Sequence, residues 1–324
     1  MRKQIFMMLW MFLFTTTFVA ASHSDEIELN YRLKWLFNTS VAGDIYADVK
    51  GYFKDAGLKV NVREGSPEKN AINELELGYA DFGVASADQV IRALDKGAKI
   101  IVLAQLFQIN PMQWIYRTDQ PEIKTLADLK GRNIGITFGG NDETVMNTIF
   151  TKAGITKKDV KITGVRFDFT PFLKREVDVW PVYRNSQGVI LKDKLEKEGE
   201  KVYFFNPADF GINFVANSII TSEKAWKSRP EVVKKFMGAL LKGWEAAMDP
   251  ANEADVLMEV KKQDKDPNDD LRKLQLIATR GLIKPSVSTK IGTIDADAWK
   301  QTETIMLDEK QIKQPVHVDT ILKN

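Results

Sequence analysis

Cysteine is absent from the 324 residues of the chain, and histidine occurs only twice. His23 lies near the amino terminus and His317 lies in the carboxyl-terminal tail, so the long central part of the sequence has neither residue. Nucleophilic Cys–His and Ser–His pairs need these side chains, and so do zinc sites built on histidine. The composition therefore excludes the common hydrolase and metalloenzyme sites, and an enzyme that uses carboxylates as acid and base is the remaining catalytic alternative.

A large excess of charge of either sign is also missing. Lysine and arginine number 46 against 44 acidic residues, and two of the basic residues, Arg2 and Lys3, precede the first acidic residue, Asp25. The chain after residue 22 therefore has 44 basic and 44 acidic residues. Because a chain with balanced charge has no global field to attract nucleic acid, we predict no nucleic-acid partner.

The amino terminus has the three parts of a secretory signal peptide. Arg2 and Lys3 are followed by an apolar run over residues 5–14, and the segment 18–22 supplies small residues for cleavage. We predict a signal peptide over residues 1–22, because the apolar run is shorter than the ~20 residues that an uncleaved membrane anchor needs. Since no cysteine can carry a lipid, we expect the mature protein to be a soluble protein of a bacterial periplasm and not a lipoprotein.

The body of the chain alternates between strand and helix patterns. Residues 58–63 alternate as a strand, a helix with Ser66 as its N-cap is expected over 67–77, and a short strand follows at 80–86. Residues 99–107 are almost continuously apolar, which is typical of a strand buried on both faces. This rhythm predicts an α/β fold in which helices flank mostly parallel sheets.

The same rhythm starts again after residue 117 and continues to about residue 213, after which the chain returns with a strand and a helical segment. One α/β unit that interrupts another gives two lobes joined by two crossings, and two crossings form a hinge. We therefore predict a discontinuous first lobe of residues 23–117 plus 214–324 and a second lobe of residues 118–213.

The segment from Tyr31 to Gly57 is the one around which we expect a ligand site. Tyr31, Leu33 and Trp35 alternate with more polar positions as in a strand, and a polar loop then leads into a helix that we expect to end at Gly57. An open α/β sheet presents ligands at the carboxyl ends of its strands, where such loops lie. We interpret residues 35–46 as the floor of a small-molecule cleft.

Four short segments are typical of one family: Gly-Tyr-Phe-Lys-Asp-Ala-Gly-Leu at 51–58, Ala-Asp-Phe-Gly at 80–83, Leu-Lys-Gly at 129–131 and Asn-Pro-Ala-Asp-Phe-Gly at 206–211. Over about residues 30–250 the chain resembles the type II periplasmic solute-binding proteins of ABC importers. The last segment is similar to the branch that binds thiamine pyrimidine precursors, which is related to riboflavin-, sulfonate- and nitrate-binding members. Relatives often carry Asn-Glu-Pro where this chain has Asn-Ser-Gln at 185–187, which puts one acidic ligand contact in doubt.

The resemblance implies a ligand site between the two lobes, formed by strand-to-helix loops of both, with no metal and no cofactor. Aromatic side chains suit stacking on a heterocycle, and amide and carboxylate groups suit its nitrogen atoms. The backbone N–H groups of Gly139 and Gly140 are candidates to receive a phosphate, carboxylate or sulfonate group. The predicted ligand-binding residues are Trp35, Asn38, Asp44, Tyr46, Ser66, Ser86 and Gln108 in the first lobe, and Thr137, Gly139, Gly140, Glu143, Trp180, Tyr183, Asn185 and Asp209 in the second.

Some of these residues have a purely structural alternative. Trp35 is in phase with Leu33 and suits a core position. Ser66 and Ser86 suit helix N-caps, and Asp209 suits a turn.

The predicted function is capture of a small aromatic nitrogen heterocycle, similar to a thiamine pyrimidine precursor, and its delivery by a monomeric protein to an ABC transporter permease. A riboflavin-like, purine or sulfonate ligand, or a sensory role, are the alternatives within the binding class. The alternative from another class is an enzyme with Asp44, Glu143 or Asp209 as acid and base. We disfavour it because the fungal pyrimidine synthases that share this fold rely on a cysteine-rich motif and a histidine, which this chain lacks.

Overall fold

The computed structural model describes residues 26–66, 68–166, 168–265 and 268–323. The predicted signal peptide, residues 1–22, lies outside the described residues. Within them, no helix is both long enough and apolar enough to cross a membrane.

Strands and helices alternate along the described chain, as predicted. The strands are β1 (Ile27–Arg32), β2 (Leu58–Arg63), β3 (Phe82–Ala85), β4 (Ile100–Gln105), β5 (Met112–Arg117), β6 (Asn133–Ile136), β7 (Lys161–Gly164), β8 (Trp180–Tyr183), β9 (Val202–Phe205) and β10 (Ser218–Ser222). The helices are α1 (Ala42–Val49), α2 (Tyr52–Asp55), α3 (Ala71–Leu77), α4 (Ala87–Asp95), α5 (Asn141–Ala153), α6 (Thr170–Leu173), α7 (Gln187–Lys197), α8 (Glu223–Ser228), α9 (Pro230–Met248), α10 (Glu253–Lys261), α11 (Asp269–Ile283) and α12 (Ala296–Asp308).

Strands from two separate parts of the chain form a five-stranded sheet with the order β2-β1-β3-β10-β4. β1 is parallel to β2 and β3, whereas β10 is antiparallel to β3 and β4. A second sheet has the order β8-β5-β9 with both pairs antiparallel, and β6 and β7 form a parallel pair. The predicted α/β class with helices flanking the sheets is confirmed. The sheets are less parallel than predicted, because β5 and β10 enter their sheets from the opposite end to their neighbours.

The position of β5 bears on where the chain crosses between the two sets of strands. The boundary predicted at residue 117 assigns β5 to the first lobe, but this strand pairs with β8 and β9. Its hydrogen bonds therefore place the first crossing before Met112, and the second crossing lies between β9 and β10. The division into two lobes stays a prediction, and its boundary is drawn better before β5.

The local structure of the expected cleft floor is more broken than the sequence pattern suggests. β1 ends at Arg32, so Trp35 lies in an irregular segment after the strand and not within it. The predicted single helix up to Gly57 is divided into α1 and α2 at Gly51, which has a left-handed backbone with φ of +75°. Glycine adopts that conformation without the penalty that a Cβ atom brings, which explains the break.

Two predicted helix caps have different outcomes. The prediction that Ser66 caps a helix is wrong, because α3 begins later and the Asn70 side chain accepts the Asn73 N–H at 2.9 Å. Ser86 does cap α4, as predicted, and it forms a capping box with Gln89.

Helix α1, which begins within the expected cleft floor, is fixed by a close approach to α9. A Cβ atom on Gly43 would lie 2.0 Å from the Cδ2 atom of Trp244, and one on Gly243 would lie 2.4 Å from the Cβ atom of Ala47. Trp244 is completely buried. The two helices therefore meet where only glycine fits, and this contact sets the position of the loop that precedes α1.

Candidate functional site

A cavity of about 700 Å³ lies between the five-stranded sheet and the smaller sheets. Its walls come from chain segments that follow strands: residues 34–41 after β1, residues 137–142 after β6 and residues in β8 and α7, together with one face of α4 after β3. A cavity of this size is in the range that holds small ligands, and it lies at the strand ends where α/β folds bind them.

Lys34 joins the two sides of this cavity. Its Nζ atom, which follows β1, donates hydrogen bonds to the Tyr183 hydroxyl at 2.7 Å and to the Asn141 Oδ1 atom at 3.1 Å. The Tyr183 hydroxyl in turn donates to the Asn217 Oδ1 atom at 3.3 Å. Burial lowers the pKa of Lys34 to about 8, while the charges of Asp88 and Asp142 act in the opposite direction. Lys34 is therefore an ammonium at neutral pH that can lose its proton at mildly alkaline pH.

Asp142 stands beside Lys34 in the first turn of α5 and is 5% exposed. One of its carboxylate oxygens accepts the backbone N–H of Thr137 at 2.6 Å. Burial raises the pKa of Asp142 to about 7, whereas the hydrogen bonds from Thr137 and the charge of Lys34 act to lower it. Its ionisation is thus sensitive to whatever enters the cavity.

Asp88 is the second acidic residue of this region. It lies in the first turn of α4 and is 1% exposed. Its charge acts on Lys34 and on Tyr183, two residues that line the cavity. Neither of its carboxylate oxygens accepts a hydrogen bond from another described residue. A buried carboxyl group without a hydrogen-bond partner is costly, and Asp88 itself does not line the cavity.

Five aromatic side chains contribute to the cavity wall. Trp180 is 2% exposed and meets the ring of Phe169 edge-on, with centroids 6.1 Å apart. Trp35, Phe37 and Tyr183 also line the space. Flat faces of this kind suit contact with a planar ring, while the polar cluster around Lys34 supplies directed hydrogen bonds.

Eight of the fifteen predicted ligand-binding residues line the cavity, and their contact with a ligand stays a prediction. Of these, Asn38 also caps the turn before α1, where its Oδ1 atom accepts the Ser40 N–H at 2.8 Å. The eight are Trp35, Asn38, Ser66, Thr137, Gly139, Gly140, Trp180 and Tyr183.

The loop with Gly139 and Gly140 does not offer the free backbone donors that we expected. The Gly139 N–H donates to the Glu143 carboxylate at 2.8 Å, and the Gly140 N–H donates to the Thr137 carbonyl at 2.8 Å. The prediction of an anion site at these two N–H groups is therefore wrong, because local capping already uses both. Glu143, which does not line the cavity, acts as that cap.

Asp44 and Tyr46 also lie outside the cavity. The Asp44 carboxylate is in the core between α1 and α9, where it accepts the Tyr31 hydroxyl at 2.7 Å and the Trp244 Nε1–H at 3.3 Å. Tyr46 points to α10 and donates its hydroxyl hydrogen bond to Asp255. Neither residue belongs to the candidate site, because α1 directs both side chains to its neighbouring elements.

Gln108 and Asn185 use their amide groups for structure. The Gln108 Nε2 atom donates to two backbone carbonyl oxygens, those of residues 105 and 293. Asn185 is fully buried, and its Nδ2 atom donates to the Ser40 Oγ atom at 3.2 Å and to the Thr279 Oγ1 atom at 2.8 Å. Asn185 therefore connects the start of α7 to the loop before α1 and to α11, and it does not line the cavity.

The last two predicted residues are a cap and a surface turn. Ser86 caps α4 next to the cavity without lining it, although its capping partner Gln89 does line it. Asp209 is exposed and accepts a hydrogen bond from Asn206 at 3.0 Å in the turn after β9. Ser86 and Asp209 therefore have the structural roles, a helix cap and a turn, that were the alternatives to ligand binding.

Sequence reasoning did not single out Lys34, Asn141 and Asp142, which line the cavity. They lie two to six residues after the ends of β1 and β6, so the strand ends were the available signal. An acidic residue in the first turn of a helix, such as Asp142, is more often interpreted as a favourable partner of the helix dipole.

Comparison with known proteins places the chain in a family. Residues 38–254 match the family described as NMT1/THI5 like. The chain belongs to this family. The match begins at the cleft floor and includes every segment that forms the cavity except residues 34–37 and the part beyond residue 254.

Several known proteins are similar over most of the chain. A Haemophilus influenzae protein named for thiamine biosynthesis is 27% identical over 203 residues, which are 61% of this chain and 62% of that protein. The formylaminopyrimidine-binding protein of Halalkalibacterium halodurans is 25% identical and covers 72% of this chain and 71% of its own length. Riboflavin-binding protein RibY of Chloroflexus aurantiacus is 24% identical, and the match covers 92% of this chain and 85% of that protein. A 4-amino-5-hydroxymethyl-2-methylpyrimidine phosphate synthase of Legionella pneumophila is 24% identical, and the match covers 86% of this chain and 85% of that protein.

Solved structures show the fold. The alkanesulfonate-binding protein SsuA of Xanthomonas axonopodis, bound to MOPS, superposes with a TM-score of 0.70 at 14% identity and covers 93% of this chain and 99% of its own. The Candida albicans CA3427 gene product, described as having the generic periplasmic binding protein fold, has a TM-score of 0.67 at 14% identity, with coverages of 91% and 96%. The chain therefore has the periplasmic binding protein fold.

Proposed function

We propose that this chain is an extracytoplasmic solute-binding protein that holds a small aromatic nitrogen heterocycle, similar to a thiamine pyrimidine precursor, between two lobes. The first lobe is built on the five-stranded sheet and the second on the smaller sheets. The protein acts as a monomer in the periplasm after loss of residues 1–22, and it delivers its ligand to the permease of an ABC importer.

The observation that carries this proposal is the cavity lined by strand ends of both sets of sheets. Its wall combines flat rings, such as those of Trp35 and Trp180, with a polar cluster centred on Lys34. A planar ring with polar edge atoms satisfies both features at once, because its faces contact the aromatic side chains and its edge meets the hydrogen-bonding groups. Closure of two lobes on such a ligand would bury it and change the surface that a permease meets.

The comparisons support a ring as the ligand. Two relatives in sequence are named for binding formylaminopyrimidine and riboflavin, both of which contain nitrogen heterocycles. The alkanesulfonate-binding structure shares the fold at 14% identity and so gives no support for a sulfonate here. The engaged N–H groups of Gly139 and Gly140 also argue against an anion at that loop.

The similarity to the Legionella synthase makes an enzyme the alternative function. The three carboxylates that we considered as acid and base do not support it: Asp44 lies in the core, Glu143 caps a loop and Asp209 is on the surface. None of the three lines the cavity. We therefore propose that the chain binds its ligand without converting it.

Thermal shift and isothermal titration calorimetry on the mature chain test the proposal, with a panel of pyrimidines, flavins, purines and alkanesulfonates. We expect a nitrogen heterocycle to raise the melting temperature and to bind one per chain with a Kd of about 1 μM or tighter. Mass spectrometry of the recovered ligand should show no change in its mass. A panel in which no compound shifts the melting temperature would contradict solute binding, and a new product mass would support the enzyme instead.

A further inference from the structure

An ion pair at the edge of the cavity joins the side built on the five-stranded sheet to the side built on the smaller sheets. Arg166, which follows β7 and lines the cavity, pairs its guanidinium group with the carboxylate of Glu68, which follows β2. The Arg166 side chain is 70% exposed and the Glu68 side chain is 50% exposed. The pair therefore lies where the cavity meets solvent.

The strand order places this pair far from the two crossings of the chain. The chain leaves the five-stranded sheet after β4 and returns to it at β10, whereas β2 is the opposite edge of that sheet. On the other side β5 and β9 connect to the crossings, and a bridge between Ile134 and Val179 joins β6 to the segment directly before β8, which leaves β7 at the opposite edge. Three strand spacings, roughly 14 Å, thus separate β2 from β10 and β7 from β5. A rotation about the crossings would move this edge of the cavity the most.

The Glu68 carboxylate is held in place for this contact. Its Oε2 atom accepts the Ser66 hydroxyl at 2.9 Å, and the Ser66 Oγ atom accepts the Lys69 N–H at 3.1 Å. Hydrogen bonds from its own backbone N–H and from Ser66 lower the pKa of Glu68, so the group is ionised at neutral pH. The Oε1 atom is the one that meets Arg166. Ser66, which does not cap α3, therefore orients one half of the pair.

We propose that Glu68 and Arg166 form a latch across the mouth of the cavity, which holds its two sides together around a bound ligand and slows the release of that ligand. This inference rests on the proposed function and concerns the release kinetics of that same site. Each residue of the latch contacts the other and not the ligand, so the latch acts alike on every ligand that fits the cavity.

A contact that forms only in the closed protein acts on dissociation and not on association. A ligand enters the open form, in which Glu68 and Arg166 are apart, so the association rate constant does not depend on the pair. Release requires the pair to break. Its loss should therefore raise the dissociation rate constant, and with it the Kd, roughly two- to fivefold, which is the usual effect of an exposed ion pair.

Stopped-flow kinetics on the ligand identified from the panel measure both rate constants. Glu68→Gln and Arg166→Gln should each raise the dissociation rate constant and leave the association rate constant unchanged. The double variant should release the ligand no faster than either single variant, because each substitution already breaks the same pair. Exchange of the two charges, with Glu68→Arg and Arg166→Glu in one chain, should return the dissociation rate constant toward the wild-type value.

Salt gives a second readout that a purely structural role of these residues would not produce. Between about 0.01 M and about 1 M NaCl the Debye length falls from ~30 Å to ~3 Å, which screens an exposed pair. Release from the wild-type chain should accelerate over this range by more than release from Glu68→Gln. Asp119→Asn is the matched control, since Asp119 is 53% exposed and pairs with Arg175 on the same side of the cavity. It should release the ligand as the wild-type chain does.

The outcomes separate this inference from the proposed function. Unchanged release from both single variants, or additive effects in the double variant, would overturn the latch while solute binding stands. A charge-exchanged chain that recovers none of the lost retention would overturn it as well. Circular dichroism and melting curves check that each variant is folded. If no compound of any class binds to the wild-type chain, the proposed function fails and the latch fails with it.

Discussion

The ammonium of Lys34 lies 2.7 Å from the hydroxyl of Tyr183, so a side chain at the end of β1 meets one from β8 across the cavity. The hydrogen bond connects the five-stranded sheet to the sheet of β5, β8 and β9 at the place where we propose that a ligand binds. A change at either residue should therefore affect both ligand affinity and the relative position of the two sets of strands.

Tyr183→Phe tests this connection. The substitution keeps the ring and its contact with a planar ligand, but it removes the oxygen that accepts from Lys34. We expect ligand affinity to fall about tenfold, because the ammonium loses one partner and is less well oriented. Calorimetry on the ligand identified from the panel measures the effect, and Tyr203→Phe on β9, a residue that does not line the cavity, is the control. Equal affinity of Tyr183→Phe and the wild-type chain would contradict the role of this hydrogen bond.

The buried Asp44 predicts a specific dependence of stability on pH. Burial raises its pKa from 3.8 to about 7, although the hydrogen bonds from Tyr31 and Trp244 act to lower it. Between these two values the folded state binds a proton that the unfolded state has lost. The free energy of unfolding therefore falls as the pH rises from about 4 to about 7, and the loss is complete above pH 7.

Asp44→Asn should remove this dependence, since the amide stays neutral and keeps an oxygen for Tyr31 and Trp244. We expect the variant to be more stable than the wild-type chain by about 2–4 kcal/mol at pH 8 and nearly equal to it at pH 4. Urea unfolding at the two pH values measures the difference. Asp209→Asn, at an exposed acid, is the control and should show no such difference. A variant that is less stable than the wild-type chain at pH 8 would show that the charge of Asp44 does not destabilise the folded state.

The contact between α1 and α9 predicts opposite effects of the same substitution at two glycines. Gly43→Ala places a methyl group 2.0 Å from the Trp244 ring, and we expect a loss of about 3 kcal/mol or more in the free energy of unfolding. Gly238→Ala, on the part of α9 where a Cβ atom meets no other atom within 4 Å, should raise stability by about 0.5–1 kcal/mol. Denaturant titrations of both variants check the pair, and a neutral Gly43→Ala would contradict the close helix contact.

Asn185 predicts an effect on the shape of the ligand-free protein. Its amide group connects the start of α7 to Ser40 and Thr279, which belong to the other side of the cavity. Asn185→Ala should lower the free energy of unfolding by about 1–2 kcal/mol and should increase the radius of gyration measured by small-angle X-ray scattering. Added ligand should restore the compact form. An unchanged radius in the absence of ligand would show that this connection does not hold the two parts together.

Much of the fold could be predicted from the sequence because strand and helix patterns are local. The order of elements and the α/β class follow from alternation, apolar runs and glycines at helix ends. The direction of β5 and β10 within their sheets does not, since it depends on where the chain re-enters a sheet and not on the pattern of the strand itself. The break of the helix at Gly51 was also hidden, because a glycine inside a helical pattern is tolerated often enough.

The candidate site could be predicted only at the level of loops. Trp35 and Tyr183 line the cavity because they lie at strand ends, and this much follows from the fold class. Asp44 also lies in a loop-to-helix segment, but its partners Tyr31 and Trp244 are 13 and 200 residues away in the chain. Its burial in the core therefore depends on tertiary packing. For the same reason the burial of Asp88 without a hydrogen-bond partner emerges only when the residues around it are known.

Native mass spectrometry of the protein purified from its own host tests the central claim most directly, because a tight receptor retains the molecule that it binds. We predict one retained small molecule per chain, whose mass after release corresponds to an aromatic nitrogen heterocycle. A retained aliphatic sulfonate, or a ligand-free chain that also fails to bind every ring of the panel, would contradict the account.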